Sequence, residues 1–261
     1  MGCGQGGIKE REYVMYHFFT EKNNISDKDI YIKGNDYNHI RNVLRMKPGD
    51  VISVGDGVSD TEYRCHIEEY TDEAVHCRLD FIKKADIELP ADIYLFQGIP
   101  KSDKMDMIVQ KAVELGVHEI IPVSTERAVV KYDEKKSEQK VKRWNTIAEA
   151  AAKQSKRTKI PEVTEVMTFE KAAGYADKLD IKLIPYELSD GFENTRELIE
   201  RAQPGMSLGF FIGPEGGFSE NEIKKAEEAG IIPVSLGKRI LRTETAAMVV
   251  LSWLIYRFER D

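Results

Sequence analysis

The sequence has little of what would take a protein out of the cell or into a bilayer. Its 261 residues hold three cysteines, Cys3, Cys65 and Cys77, an odd and sparse set that excludes a disulfide framework and fits a reducing compartment. No apolar run approaches the roughly 20 residues needed to cross a membrane. The N-terminus carries no basic stretch followed by an apolar one, so no secretory signal is expected and the protein is read as cytoplasmic. Positive charge is also short, with a formal net charge of −7, which by itself argues against a polyanionic partner. The distribution argues otherwise: between Lys131 and Lys159, ten Lys/Arg stand against four Asp/Glu. A basic segment in an acidic chain fits nucleic acid, although a solvated helix face has the same composition.

What is present is enough hydrophobic sequence, 41%, for one large or two modest domains. Residues 1–14 are glycine-rich and then charged, without periodicity. They read as a disordered leader, an upstream start or a cloning remnant, with Met15 as the expected true start. From about residue 15 to 85 the pattern is that of a small β-barrel, with alternating strands from 51 to 84 and turns at Gly55-Asp56-Gly57 and Thr71-Asp72-Glu73. Ahead of these strands, Ile40, Val43, Leu44 and Met46 are spaced for a helix over 36–46, which would leave His39, Arg41, Asn42 and Arg45 on or near its polar face. Cys65-His66 and His76-Cys77 lie on consecutive strands and invite a zinc site. Alternation places both cysteines toward the core and both histidines away, so four ligands cannot converge and no metal is expected.

Residues 83–90 read as a linker, after which the composition is α/β to the end, 88–261. Residues 93–97 form a strand, Gly98 to Lys101 a loop, and Ser102 or Asp103 caps a helix closed at Gly116. A helix over 140–156 ends in Lys153, Gln154, Ser155, Lys156 and Arg157, cations that also suit the negative end of a helix dipole. Near the C-terminus two strand–loop–helix units follow each other. Leu208 to Ile212 leads into Gly213-Pro214-Glu215-Gly216-Gly217, and Ser219 with Glu222 forms a capping box. Pro233 to Leu236 leads into Gly237 to Arg242 before a long apolar helix from Thr243. Taken singly, such glycine turns are those of any αβ unit. Paired at neighbouring strand ends, they make the crevice in which open α/β sheets bind ligands. The G-x-G-x-x-G spacing of a dinucleotide site is absent at Gly213, which speaks against a nicotinamide-dependent oxidoreductase.

Ile212-Gly213-Pro214-Glu215-Gly216-Gly217-Phe218-Ser219 together with Leu236-Gly237-Lys238-Arg239-Ile240-Leu241-Arg242-Thr243-Glu244-Thr245-Ala246 resembles the two C-terminal motifs of the RsmE family of 16S ribosomal RNA uridine N3-methyltransferases, within the SPOUT superfamily. Gly98-Ile99-Pro100-Lys101 through Lys104-Met105, Glu114 to Val117, and Glu149-Ala150 with Gln154-Ser155 and Arg157 follow the family order. His17 stands where the family commonly has arginine before Phe18-Phe19. The resemblance implies a PUA-like barrel followed by an α/β domain with a trefoil knot, acting as a homodimer on 16S rRNA or the assembled 30S subunit. The family target would be uridine 1498 of the decoding region.

It further implies S-adenosylmethionine as methyl donor. The donor would be held by Ile184 and Pro185, by Gly213, Pro214, Glu215, Gly216 and Gly217, and by Leu236, Gly237, Ile240, Leu241, Arg242, Thr243 and Thr245. His39, Arg41, Arg45, Lys101, Lys104, Gln154 and Arg157 would meet RNA. The N3 proton of uridine must leave and charge develops on the uracil oxygens, which suits Arg242 as electrostatic stabiliser and Glu215 or Glu244 as orienting group or base. Glu244 equally suits the positive end of the last helix. A non-catalytic RNA-binding assembly factor of the same fold is the alternative.

Overall fold

The computed structural model describes residues 15–130, 132–187 and 192–259, and the expected leader over 1–14 lies outside them. Contacts divide the chain into two compact units, with the division between Ala85 and Asp86.

The first unit is a five-stranded sheet. Strands β1 (His17–Phe19), β2 (Asp29–Lys33), β3 (Val51–Gly55), β4 (Thr61–Tyr70) and β5 (Ala74–Lys84) lie in the order β1-β3-β4-β5-β2. All pairs are antiparallel except β1 with β3. The inward residues Ile30, Ile32, Ile52, Val54, Ile67 and Val75 close one core with Cys65 and Cys77, as the period of two requires. Both cysteines are free and fully buried, and the neighbouring Cys77 together with burial pushes the Cys65 thiol up. His66 and His76 face the other way and pair with Asp80 and Asp29.

The expected helix over 36–46 forms differently. Helix α1 (Gly34–Asn38) passes into a wider turn, His39–Val43, in which Leu44 N–H donates to His39 C=O five residues back. Arg45 then takes φ +54. Ile40 alone of that stretch is fully buried, and Val43 is 67% exposed, because the widened turn breaks the 3.6 period on which the apolar spacing was read.

The second unit carries β6 (Asp92–Gly98), α2 (Lys104–Glu114), β7 (Glu119–Ser124), α3 (Glu134–Gln154), β8 (Glu162–Val163), β9 (Met167–Thr168) and α4 (Phe169–Tyr175). It continues with β10 (Ile181–Pro185), α5 (Phe192–Glu200), β11 (Ser207–Ile212), α6 (Glu220–Glu228), β12 (Ile232–Val234) and α7 (Thr243–Phe258). The strands form one parallel sheet in the order β12-β10-β11-β6-β7-β8, with β9 beside β7. Its strands are continuous apolar runs, as expected of a sheet covered on both faces. Phe96 and Phe211 stack across β6 and β11 with centroids 4.2 Å apart. Helices α4 and α6 pack Phe169, Ala172, Ile223 and Ala226 into the same core, while α7 packs on α2 and α5.

The capping box of α6 is present, Ser219 accepting from Glu222 N–H and Glu222 from Ser219 N–H. The expected cap of α2 is not: Asp103 holds the cap position without a side-chain bond, and Ser102 sits at φ +59. Helix α3 starts earlier than its apolar spacing indicated, at Asp133, whose carboxylate accepts from Lys136 N–H. The stretch read as a linker is partly structural, since β5 runs through Lys84 and Glu88 is held by Arg157 at 2.5 Å.

Candidate active site

The loops that follow β6, β10, β11 and β12 all leave the same carboxyl edge of the parallel sheet. They enclose a cleft of about 830 Å³, the size of a small-molecule site.

Its floor is hydrogen-bonded together. Gln97 is fully buried at the end of β6 and donates to Thr243 Oγ1 at 2.9 Å, and Thr243 Oγ1 donates to Gly213 C=O at 2.6 Å. A Cβ at Gly98 would lie 2.6 Å from Pro214 Cδ and 2.8 Å from Pro214 N, so β6 must end in glycine for the Gly213–Gly217 loop to cross it. Gly217 at φ +65 and Gly237 at φ +103 both have open space where a Cβ would stand. That bare backbone on two sides of the cleft is a cradle suited to a nucleoside such as that of S-adenosylmethionine.

Six cations line the cleft, Lys101, Lys104, Arg127, Lys238, Arg239 and Arg242, against the acids Glu187 and Glu215. Lys104 is committed: its Nζ lies 3.0 Å from Glu215 and 3.3 Å from Glu244. The Glu215 contact leads in raising the Lys104 pKa. Burial pushes the Glu215 carboxyl up, but the Lys104 ammonium and the Lys101 backbone N–H outweigh it and hold Glu215 below the usual carboxylate range. Among the described residues none of the other five cations has a carboxylate within ion-pair distance. The carboxyl edge is therefore a positive cleft on a negative chain.

Most residues assigned by resemblance to the donor meet here: Pro185, Gly213, Pro214, Glu215, Gly216, Gly217, Leu236, Gly237, Ile240, Leu241, Arg242 and Thr243 all line the cleft. Ile184 does not, because it points into the core at 0% exposure. Thr245 is exposed on the first turn of α7 and outside the lining. Glu244 reaches the cleft through Lys104.

Of the residues assigned to RNA, Lys101 and Lys104 line the cleft and Gln154 is exposed. Arg157 contradicts its assignment. It is 5% exposed, its Nη1 donates to Val113 and Val117 C=O at 3.0 and 2.7 Å, and Glu88 takes its remaining face. A guanidinium so spent is a structural rivet and does not face RNA. In the first unit His39, Arg41 and Arg45 are all exposed, with Arg41 lying over the rings of Tyr37 and Tyr70 at 5.6 and 5.5 Å. His17 is buried at 7%, its Nδ1 paired with Ser53 Oγ at 2.8 Å. There too, potential ligand atoms of Asp29, Glu68 and His76 come within 4.8 Å of one another. Arg78 bonds both carboxylates, which makes the group an ion-pair network.

Arg127 escaped the reading of the sequence. It follows β7 in a stretch without glycine or motif spacing, and contacts of its turn with Gly216, Asn221 and Glu222 bring it to the cleft.

Residues 87–255 match the family model for an RNA methyltransferase domain, and residues 32–80 that for an RNA methyltransferase PUA domain. Ribosomal RNA small subunit methyltransferase E of Bacillus subtilis is 36% identical over 94% of this chain and 98% of its own length. That of Mycobacterium bovis is 29% identical over 84% of this chain and 83% of its own. The crystal structure of ribosomal RNA small subunit methyltransferase E from Neisseria gonorrhoeae bound to S-adenosyl methionine superposes with a TM-score of 0.81 at 31% identity, covering 93% of this chain and 97% of that one. The order of a PUA unit and a methyltransferase unit, the identity along nearly the whole length and the shared fold agree, and the chain belongs to the ribosomal RNA small subunit methyltransferase E family.

Proposed function

We propose that the cleft binds S-adenosylmethionine and that the protein transfers its methyl group to N3 of a uridine in 16S rRNA, in the family position 1498. The observation that carries this reading is the cleft itself: two glycine loops open on their inner side, with five of six lining cations left, among the described residues, without a carboxylate partner. When bound there, the donor supplies a methyl group made electrophilic by its sulfonium. The rest falls to the chain's own residues.

Gly217 and Gly237 admit the donor to their bare backbone. Thr243 and Gln97 hold the floor fixed, so that no reorganisation is needed as the reacting atoms align. The Arg242 side chain, exposed at the start of α7, donates to the uracil oxygen on which charge develops as N3 loses its proton. Glu215 and Glu244 share the Lys104 ammonium. Lys104 holds Glu215 below the usual carboxylate range, so Glu215 orients donor and nucleobase and Glu244 is the carboxylate that takes the N3 proton.

The finer architecture belongs to the same reading. The chain after β12 passes close against the loop after β11, through Thr243 and Gly213, and against the end of β6, through Gln97. This close crossing supports a trefoil knot. The exposed Tyr256 and Phe192 near α7 are consistent with a homodimer, and among the described residues no helix is long and apolar enough to cross a membrane, in keeping with work in the cytoplasm.

The test is Arg242→Ala assayed on 30S subunits with labelled donor. The expected result is a loss of about 100- to 1,000-fold in kcat with an unchanged melting temperature. Unchanged turnover refutes the role of Arg242, and absence of donor binding by the unaltered protein in calorimetry favours the assembly factor.

A further inference from the structure

We propose that Arg127 is a phosphate-binding residue of the cleft, gripping the backbone of the RNA strand beside the target nucleotide. The inference rests on the methyltransferase reading above and names a contact which that reading leaves unassigned.

Arg127 stands in the turn after β7, closed by Ala128 N–H donating to Thr125 C=O at 3.2 Å. Three ties fix that turn. Glu222 is 1% exposed, a buried carboxylate without a part in the chemistry, and it accepts from Glu126 N–H at 2.9 Å while also closing the α6 cap at Ser219. Asn221 holds the Glu126 carboxylate at 2.8 Å, and the Ser219 side chain with Asn221 keeps Glu126 below the usual carboxylate range. Arg127 Nη1 itself donates to Gly216 C=O at 3.3 Å, and a Cβ at Gly216 would lie 3.2 Å from Arg127 Cβ.

The result is a guanidinium whose backbone is locked and which, among the described residues, has no carboxylate partner and gives one of its five N–H donors to the protein. Such a fork fits a phosphate, and fixing it in advance lowers the entropy lost on binding.

Its place favours the polymer over the donor. In the sheet order β10-β11-β6-β7, Arg127 leaves two strand spacings, roughly 10 Å, from β11. It stands on the side away from β10 and β12, whose loops make the other donor walls. Lys101, whose ammonium has no carboxylate partner among the described residues, leaves the strand between. The carboxylate of the donor's amino-acid tail is the rival anion.

The test compares the unaltered protein, Arg127→Ala and Arg127→Lys for binding to in vitro transcribed 16S rRNA between about 50 and 200 mM salt, with calorimetry of S-adenosylmethionine alongside. Arg127→Ala is expected to weaken RNA binding about tenfold, to lower the salt slope by about 1, and to raise KM for RNA with kcat and donor affinity unchanged. Arg127→Lys keeps the slope and loses part of the affinity. RNA affinity and slope unchanged in Arg127→Ala, or an Arg127→Lys slope as low as that of alanine, overturns the proposal. So does donor affinity falling while RNA binding holds, which would give the guanidinium to the carboxylate. If the unaltered protein binds neither ligand, the functional reading fails and this inference with it, an outcome distinct from normal binding that the substitutions leave intact.

Discussion

The two ends of the parallel sheet treat charge in opposite ways. At the amino end, below β6 and β7, Arg157 and Glu88 are buried together and every face of the guanidinium is bonded. At the carboxyl end Lys101, Arg127, Lys238, Arg239 and Arg242 line a cleft and, among the described residues, have no carboxylate partner. In the sequence Arg157, Lys101, Lys238, Arg239 and Arg242 are all basic residues near helix ends, and Arg127 follows a strand. The difference shows that a cation serves stability where its partners are internal, and is left for a ligand where they are not.

The comparison breaks most sharply at Arg157. Arg157→Ala strands the Glu88 carboxylate in a site where its side chain is 12% exposed, and breaking a buried pair costs about 3–5 kcal/mol. Chemical denaturation should show that loss, and donor and RNA binding should survive in whatever fraction stays folded. Arg242→Ala is the converse, a loss of turnover at constant stability. Gly98→Ala lies between: the added methyl meets Pro214 backbone at 2.8 Å, overpacking of about 1–3 kcal/mol, and calorimetry should show lower melting temperature and weaker donor binding together.

Lys104→Met tests the one ammonium the cleft does commit. Glu215 is depressed in the folded protein, so its contribution is present above the ordinary value of 4.5 and is lost as pH falls through the lower folded value. Without Lys104 that value rises, and the acid limb of stability against pH moves upward. Solvent screening at 29% exposure keeps the effect under about 1 kcal/mol. The smallest change is Ile240→Ser: at 88% exposure its removal should leave stability within about 0.5 kcal/mol, while titration with 16S rRNA reports any part in binding.

Local signals carried well from sequence to structure. The Ser219–Glu222 box, the inward Cys65 and Cys77, and the two glycine loops each depend on residues close in sequence or on a fixed period, but the strands those loops follow are not neighbours, because β10 lies between β11 and β12. Arg157 was misread because its partner Glu88 lies 69 residues away; its helix-end position gave no sign of burial. Arg127 was invisible for the same reason, its turn being fixed by Glu222 from 96 residues on. The helix over 36–46 failed more locally, at a widened turn that the hydrophobic period does not encode.

The pairing of β6 with β11 also sets a timetable for biogenesis. Gln97 bonds to a carbonyl 115 residues downstream, so during translation at 5–20 residues per second β6 waits on the order of ten seconds with one edge bare. Until Ser207–Ile212 emerges, Ile93, Leu95 and Phe96 are sticky and unprotected, and this interval is where a nascent chain would most depend on chaperones.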